Sequence, residues 1–280
     1  MNFESPSAVL RRHGLWARKS WGQHFLHSPD VHDAIAAASG AGPGVRVVEI
    51  GAGVGSLTAR LLASGAEVWA IERDRDLCTV LRAEFVDQPR LVLHEADAVR
   101  FDYSTAADEA HPRPVIVGNL PYQITGPLLF ALLDQHTVTG DWVVMVQKEV
   151  AQRIVSPPGN RTYGGLSVVL GRVRELEWIT LVGPGAFTPP PRVDSAVIRL
   201  RPRAQPRGEV GDEMAFRAMV RAAFQQRRKT LLNALTPLDG REAAARWCAA
   251  VGIDSHVRPE TLGPEQFAAL ARQREGERAG

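Results

Sequence analysis

Five short apolar runs follow one another along the first half of the chain: VRVVEI (45–50), AEVWAIERD (66–74), RLVLHEAD (90–97), RPVIVGN (113–119) and DWVVMVQKE (141–149). Between them the apolar positions change to helical spacing, as with Leu57, Leu61 and Leu62 in SLTARLLAS and Leu77, Val80 and Leu81 in RDLCTVLRAEF. A continuous apolar run marks a strand buried on both faces. Alternation with amphipathic helices predicts a parallel sheet covered by helices on each side. The expected fold is α/β and doubly wound. In such sheets ligands bind outside the carboxyl ends of the strands, near the point where strand order reverses. Four of the five runs end there in polar residues: Glu49, Glu72, Asp97 and Asn119.

After residue 160 the pattern changes. EWITLVGPGAF (177–187) and VDSAVIRLRP (193–202) read as two further strands separated by the stiff segment TPPPR. They bring the mostly parallel sheet to seven strands. RPRAQPRGEVGDE (201–213) is rich in Pro, Gly and charge, as linkers are, and beyond it only helical patterns occur, such as AFRAMVRAAF and PEQFAALARQ. The sequence therefore predicts two domains: residues 1–204, Rossmann-like with a basic N-terminal arm, and residues 205–280, small and all-helical.

Composition removes several classes. No apolar stretch approaches the length of a bilayer span, and the N-terminal segment has no apolar signal region. The two cysteines, Cys78 and Cys248, have neither metal nor disulfide spacing. A cytoplasmic protein without membrane or metal is expected. The formal net charge of +2 does not by itself imply nucleic acid. Its distribution is more telling, with basic residues gathered in the arm (Arg11, Arg12, Arg18, Lys19) and in QQRRKT (225–230).

EIGAGVGSL (49–57) places Gly51, Gly53 and Gly55 between a strand and a helix. Glycines there allow positive φ and let a ligand touch the backbone. A dinucleotide fingerprint would need glycine at position 56, which is Ser56. Glu72 stands where an acid would hold both ribose hydroxyls, and Asp97 suits an adenine amino group. That set fits S-adenosylmethionine better than a dinucleotide, since a sulfonium cofactor brings no pyrophosphate to the helix N-terminus.

The fourth strand ends in NLPY (119–122). An exocyclic amine of adenine is a poor nucleophile because its lone pair is delocalised into the ring. The Asn119 side-chain carbonyl and the Leu120 backbone carbonyl can accept from both N–H groups, Pro121 fixes φ and stiffens the loop, and Tyr122 can stack on the base. Such a site works by positioning and electrostatics and needs no strong general base. The plainer reading is an ordinary turn.

ARKSWGQHFL, EIGAGVGSLT, IERDRDL, NLPYQITGPLLF, VMVQKEVAQRI, YGGLSVV, GAFTPPPRVDSAVIRL and AFQQRRKT, in this order, resemble the adenine N6-dimethyltransferases of small-subunit (16S) ribosomal RNA of the KsgA type, from about residue 17 into the helical tail. The resemblance implies transfer of two methyls to each of two adjacent adenines in a hairpin near the 3′ end of that RNA, with a role in small-subunit biogenesis. It implies as substrate the rRNA of an immature 30S subunit, not DNA, and a monomer. It implies cofactor contacts at Gln23, His24, Leu26, Gly51, Gly53, Glu72, Asp97 and Asn119. It also implies that Phe187 sandwiches the flipped adenine against Tyr122, as stacking platforms do for unpaired bases, and that Arg227, Arg228 and Lys229 touch the RNA backbone. Two positions depart from the usual family residue: His24 and Gln123 stand where Asn is common.

Competing readings are a resistance-type methyltransferase of large-subunit rRNA, whose loop is typically Asn-Ile-Pro-Tyr or Asn-Ile-Pro-Phe; a DNA adenine methyltransferase, which more often carries Asp-Pro-Pro-Tyr; and a non-enzymatic assembly factor that kept the fold. Leu120 and the triproline 189–191 favour small-subunit rRNA, and the intact Gly51, Glu72, Asp97 and Asn119 favour an enzyme. An NAD-dependent oxidoreductase is disfavoured by Ser56.

Overall fold

The computed structural model describes residues 4–18, 23–226 and 228–279. Among the described residues nine strands form in chain order: β1 (Phe25–Leu26), β2 (Arg46–Ile50), β3 (Glu67–Glu72), β4 (Leu91–Glu95), β5 (Val115–Asn119), β6 (Trp142–Gln147), β7 (Arg174–Val182), β8 (Phe187–Thr188) and β9 (Ser195–Pro202). The helices are α1 (Pro6–Arg12), α2 (Pro29–Ser39), α3 (Ser56–Ala63), α4 (Arg75–Glu84), α5 (Thr125–Asp134), α6 (Lys148–Val155), α7 (Gly165–Val173), α8 (Glu213–Phe224), α9 (Leu231–Asp239), α10 (Arg241–Ala250) and α11 (Pro264–Ala279).

Seven strands make one sheet in the order β4-β3-β2-β5-β6-β9-β7. The first five pair in parallel, and β9 runs antiparallel to β6. The five apolar runs read from the sequence are these parallel strands. Strand order reverses between β2 and β5, with Ile50 opposite Gly118, so a crevice opens where both strands end. β2 is buried along its whole length, which suits its β-branched residues Val47, Val48 and Ile50.

The loop after β2 is built by glycine. Gly51 and Gly53 have φ of 71° and 62°, and Gly55, the N-cap of α3, has 87°. A Cβ on Gly55 would lie 2.3 Å from Cε2 of Phe85. Positive φ and close packing thus both exclude a side chain there. A small antiparallel pair, β1 with β8, sets Leu26 opposite Phe187. Phe187, Leu26, Val182 and Val197 join the apolar core under the sheet.

The chain packs as two compact units. One is Met1–Ala151 with Glu177–Pro202, the other Gln152–Leu176 with Arg203–Gly280. The second division falls beside the linker read from the sequence. The excursion of 152–176 was not foreseen there, because an amphipathic helix such as α7 shows that it has a buried face but not which partner covers it. Within the helical unit the excursion is held by the Tyr163 hydroxyl, which donates to the Leu262 carbonyl at 2.9 Å. Arg172 also pairs with Glu213. Asp239 joins α9 to α11 by accepting from Arg274 and Arg278 at 2.6 and 2.8 Å.

Candidate active site

At the carboxyl ends of β2, β3 and β5 lies a cavity of about 430 Å³, within the size range of ligand sites. Gln23, His24, Leu26, Glu49, Gly51, Gly53, Glu72, Asp74, Asn119, Leu120, Pro121 and Tyr122 all line it. The strands bring these residues together across almost 100 positions of sequence. At Gly51 and Gly53 the loop presents backbone to the cavity, with no side chain in between.

Glu72 closes the end of β3. Its carboxylate accepts three backbone N–H groups, from Gly53 at 2.9 Å, Arg73 at 2.8 Å and Asp74 at 2.9 Å. These bonds fix both oxygens while lone pairs remain for hydroxyl donors. Burial pushes the Glu72 carboxyl up, against those three donors, and the nearby Asp74 adds to the rise. Glu49, on β2, is fully buried and its acid is pushed up to about 8, by burial first and the charge of Glu72 further down the order; the Thr58 hydroxyl, donating to it at 2.6 Å, opposes this. Burial holds the His32 imidazole, also in the lining, down near 4, so it is neutral.

The other end of the cavity is the NLPY loop. The Asn119 amide donates Nδ2–H to the His24 carbonyl at 3.0 Å. A carbonyl can only accept, so this bond fixes which end of the amide is nitrogen, and Oδ1 is left as the acceptor. Leu120 N–H donates to the Met145 carbonyl of β6 at 3.0 Å, and Ile124 N–H to the Pro121 carbonyl at 3.1 Å, which closes the turn. The Tyr122 hydroxyl lies 2.6 Å from Ser195 Oγ on β9, a fully buried residue. Burial raises the Tyr122 phenol, and the Ser195 bond opposes the rise. NLPY is thus a turn, closed by the Pro121–Ile124 bond, and its four residues line the cavity.

Gln23 is doubly engaged, accepting Arg18 N–H at 2.8 Å and donating to Asp74 Oδ2 at 3.0 Å. His24 Nδ1 donates to the Pro189 carbonyl at 2.8 Å, and its ring stacks near Tyr122. Asp97 does not line the cavity. It stands at the edge, 3.5 Å from Arg73, which does, and its own carboxylate accepts Val99 N–H at 3.0 Å.

Phe187 departs from the expected placement. It is 3% exposed, packs in the apolar core with Leu26, its partner across the β1–β8 pair, and is not among the residues that line the cavity. The ring facing Tyr122 is His24 instead. Arg228 and Lys229 are exposed between α8 and α9 in the helical unit, and Arg227 lies outside the described residues. Ser195 and Asp74 were missed. Asp74 had a signal, since the D-x-D spacing before a helical pattern marks an N-cap, and its side chain does accept Asp76 N–H. Ser195 had none, being one small polar residue in an apolar strand.

Among the described residues no helix is long and apolar enough to cross a membrane, and no cluster of three or more His, Cys, Asp or Glu is placed to hold a metal. The family model described as ribosomal RNA adenine dimethylase matches residues 14–273. A ribosomal RNA small subunit methyltransferase A of Anaeromyxobacter sp. (strain K) is 46% identical, over 97% of this chain and 98% of its own. Among solved structures, a dimethyladenosine transferase from Plasmodium falciparum shares the fold with a TM-score of 0.71, at 24% identity over 88% of this chain and 96% of that one. The 23S rRNA methyltransferase ErmE follows at 0.68, with 25% identity over 90% of this chain and 99% of that one. With a family match over residues 14–273 and this degree of identity across nearly its whole length, this chain belongs to the ribosomal RNA adenine dimethylase family.

Proposed function

We propose that the protein transfers methyl groups from S-adenosylmethionine to the N6 amines of two adjacent adenines in the 3′-terminal hairpin of small-subunit rRNA. The observation that carries this is the orientation of Asn119: its Nδ2 is committed to the His24 carbonyl, so Oδ1 accepts from an amine in the cavity. The choice of the small subunit is supported by 46% identity to a small-subunit methyltransferase, against 25% to ErmE.

The residues present fit the cofactor. Glu72 offers its remaining lone pairs to the two ribose hydroxyls, and Gly51 and Gly53 let it lie on backbone. Gln23, His24 and Leu26 line the same cavity and would border its methionine end, and Asp97, 3.5 Å from the lining residue Arg73, would take the adenine amino group. Bound there, the cofactor supplies an electrophilic methyl on a sulfonium.

The rest of the chemistry belongs to the loop. Asn119 Oδ1 and the Leu120 carbonyl accept the two N–H groups of the target amine, which favours tetrahedral nitrogen and aims its lone pair at the methyl. With the cofactor bound, its methyl would pass to this nitrogen and leave a neutral thioether behind, and the cationic amine held by these acceptors would release its proton to water, so no strong base is needed in the loop. Pro121 keeps both acceptors in place, and Tyr122, anchored by Ser195, covers the face of the base. Arg227, Arg228 and Lys229 would neutralise RNA phosphates. The immature 30S subunit as substrate, a role in subunit biogenesis, action as a monomer and a cytoplasmic location complete the proposal.

The test is incubation of purified protein and labelled S-adenosylmethionine with under-methylated small subunits, then mass spectrometry of the labelled rRNA fragment. Dimethylation of two neighbouring adenines is expected. Label confined to large-subunit rRNA, or to DNA, refutes the assignment.

A further inference from the structure

β5, β6 and β9 lie side by side in that order, so β6 separates the other two. Tyr122, three residues past the end of β5, nevertheless bonds through its hydroxyl to Ser195, the first residue of β9, at 2.6 Å. Two strand spacings come to about 9.6 Å. The loop and the phenol together therefore bridge the width of β6. Where the ring stands depends on where β9 begins against β6.

That beginning is held by one pair of residues. Gln147 opposite Ser195 is the last step of the β6–β9 ladder. One residue further, Lys148 N–H donates to the Asp194 carbonyl at 3.0 Å, and the Lys148 ammonium donates to Asp194 Oδ2 at 3.1 Å. Residues 189–194 lie outside any strand or helix, so the ladder itself does not hold them. Neither Lys148 nor Asp194 lines the cavity, and their side chains are 39% and 38% exposed. An ion pair this exposed contributes little to overall stability. Its place is more telling, since Asp194 directly precedes the residue that anchors Tyr122.

We infer that Lys148 and Asp194 are positioning residues for methyl transfer, a clamp that fixes the start of β9 and, through Ser195, the ring of Tyr122 over the target base. This deepens the function proposed above and rests on it. The clamp touches neither base nor cofactor. It acts on the chemistry only through the Ser195–Tyr122 bond.

The test is a double-mutant cycle. The readouts are single-turnover methyl transfer to saturating under-methylated small subunits, KM for the subunit, and cofactor affinity by equilibrium binding without RNA. Lys148→Met and Asp194→Asn should each slow transfer about threefold, the scale of one exposed ion pair. KM and cofactor affinity should not change. Lys148→Arg keeps a donor for Asp194 and should transfer near the wild-type rate. Tyr122→Phe has no hydroxyl for Ser195, so adding Lys148→Met to it should cost nothing further. Should Lys148→Met lower the denaturant midpoint, the isosteric Asp194→Asn carries the same comparison. Unchanged transfer in both single variants overturns the inference, and so does a loss that persists in full on the Tyr122→Phe background. A rise confined to KM in Lys148→Met also overturns it, because Lys148 would then be a contact to RNA phosphate. If the wild-type protein labels large-subunit rRNA instead, the substrate assignment fails, and the same cycle tests the clamp on that RNA.

Discussion

The two ends of the cavity are built in different ways. The cofactor end is local: strand, glycine loop and helix follow one another from Arg46 to Ala63, and the acid closes the next strand. Its bonds are mostly backbone, with three N–H groups on Glu72 alone. The base end is assembled from afar. Asn119 depends on the carbonyl of residue 24, and Tyr122 on the hydroxyl of residue 195. Backbone donors hold charge without side-chain entropy. Long-range side-chain bonds instead tie the geometry of the reacting group to the packing of the whole sheet. The cofactor end should therefore fail locally, and the base end through its supports.

The largest expected effect breaks a support. Phe187→Ala should cost ~3–5 kcal/mol of stability, as removal of a buried aromatic does, read as a shifted denaturant midpoint. A stable variant with only a turnover defect would return Phe187 to the slot. Next, Asn119→Ala should lower the rate of methyl transfer by roughly 10²–10³-fold, the size of one lost transition-state contact. Cofactor Kd should stay within about an order of magnitude, and comparable losses in both would merge the two ends.

Glu49 probes the cofactor end through pH. Its folded-state acid sits at about 8, raised mainly by burial, while the unfolded chain titrates near the ordinary ~4.3. Between those values the folded protein holds a proton that the unfolded chain has released. Stability without cofactor should therefore fall as pH rises from about 5 to 8, by up to ~1.4 kcal/mol per pH unit, and level off above. Glu49→Gln carries no such proton. The difference between wild type and variant in denaturant midpoints from pH 5 to 9 should show this slope; a flat difference would mean that Glu49 is already ionised.

The smallest effect sharpens the base end. Ser195→Ala should slow turnover only several-fold, in keeping with ~1 kcal/mol for a neutral hydrogen bond. In Tyr122→Phe the loss should be similar, and the double variant should lose no more than either single one. Additive losses would mean that the two residues act independently.

Much of the cofactor end was legible because its chemistry is contiguous. EIGAGVGSL and the acid at the end of the next apolar run keep the same neighbours in sequence and in space. Inner strands such as β6 were legible for a similar reason: a strand buried on both faces is mostly apolar. The base end was legible only at its loop. Phe187 lies after a predicted strand like many core aromatics, and the sequence could not tell a core ring from a stacking one. The excursion of 152–176 into the helical unit was hidden for the same reason as any helix partner.

The sequence by itself determined a parallel sheet, a glycine floor, the acid Glu72 and a rigid amide-bearing loop, because each follows from local backbone geometry or from periodic burial. Only the tertiary structure decided which end of the Asn119 amide is committed to His24, which residue anchors Tyr122, and that the His24 ring lies beside it. Those choices are made by hydrogen bonds between residues some 70 to 95 positions apart. Such bonds leave no periodic trace in the chain, since they exist only once the sheet has brought their ends together.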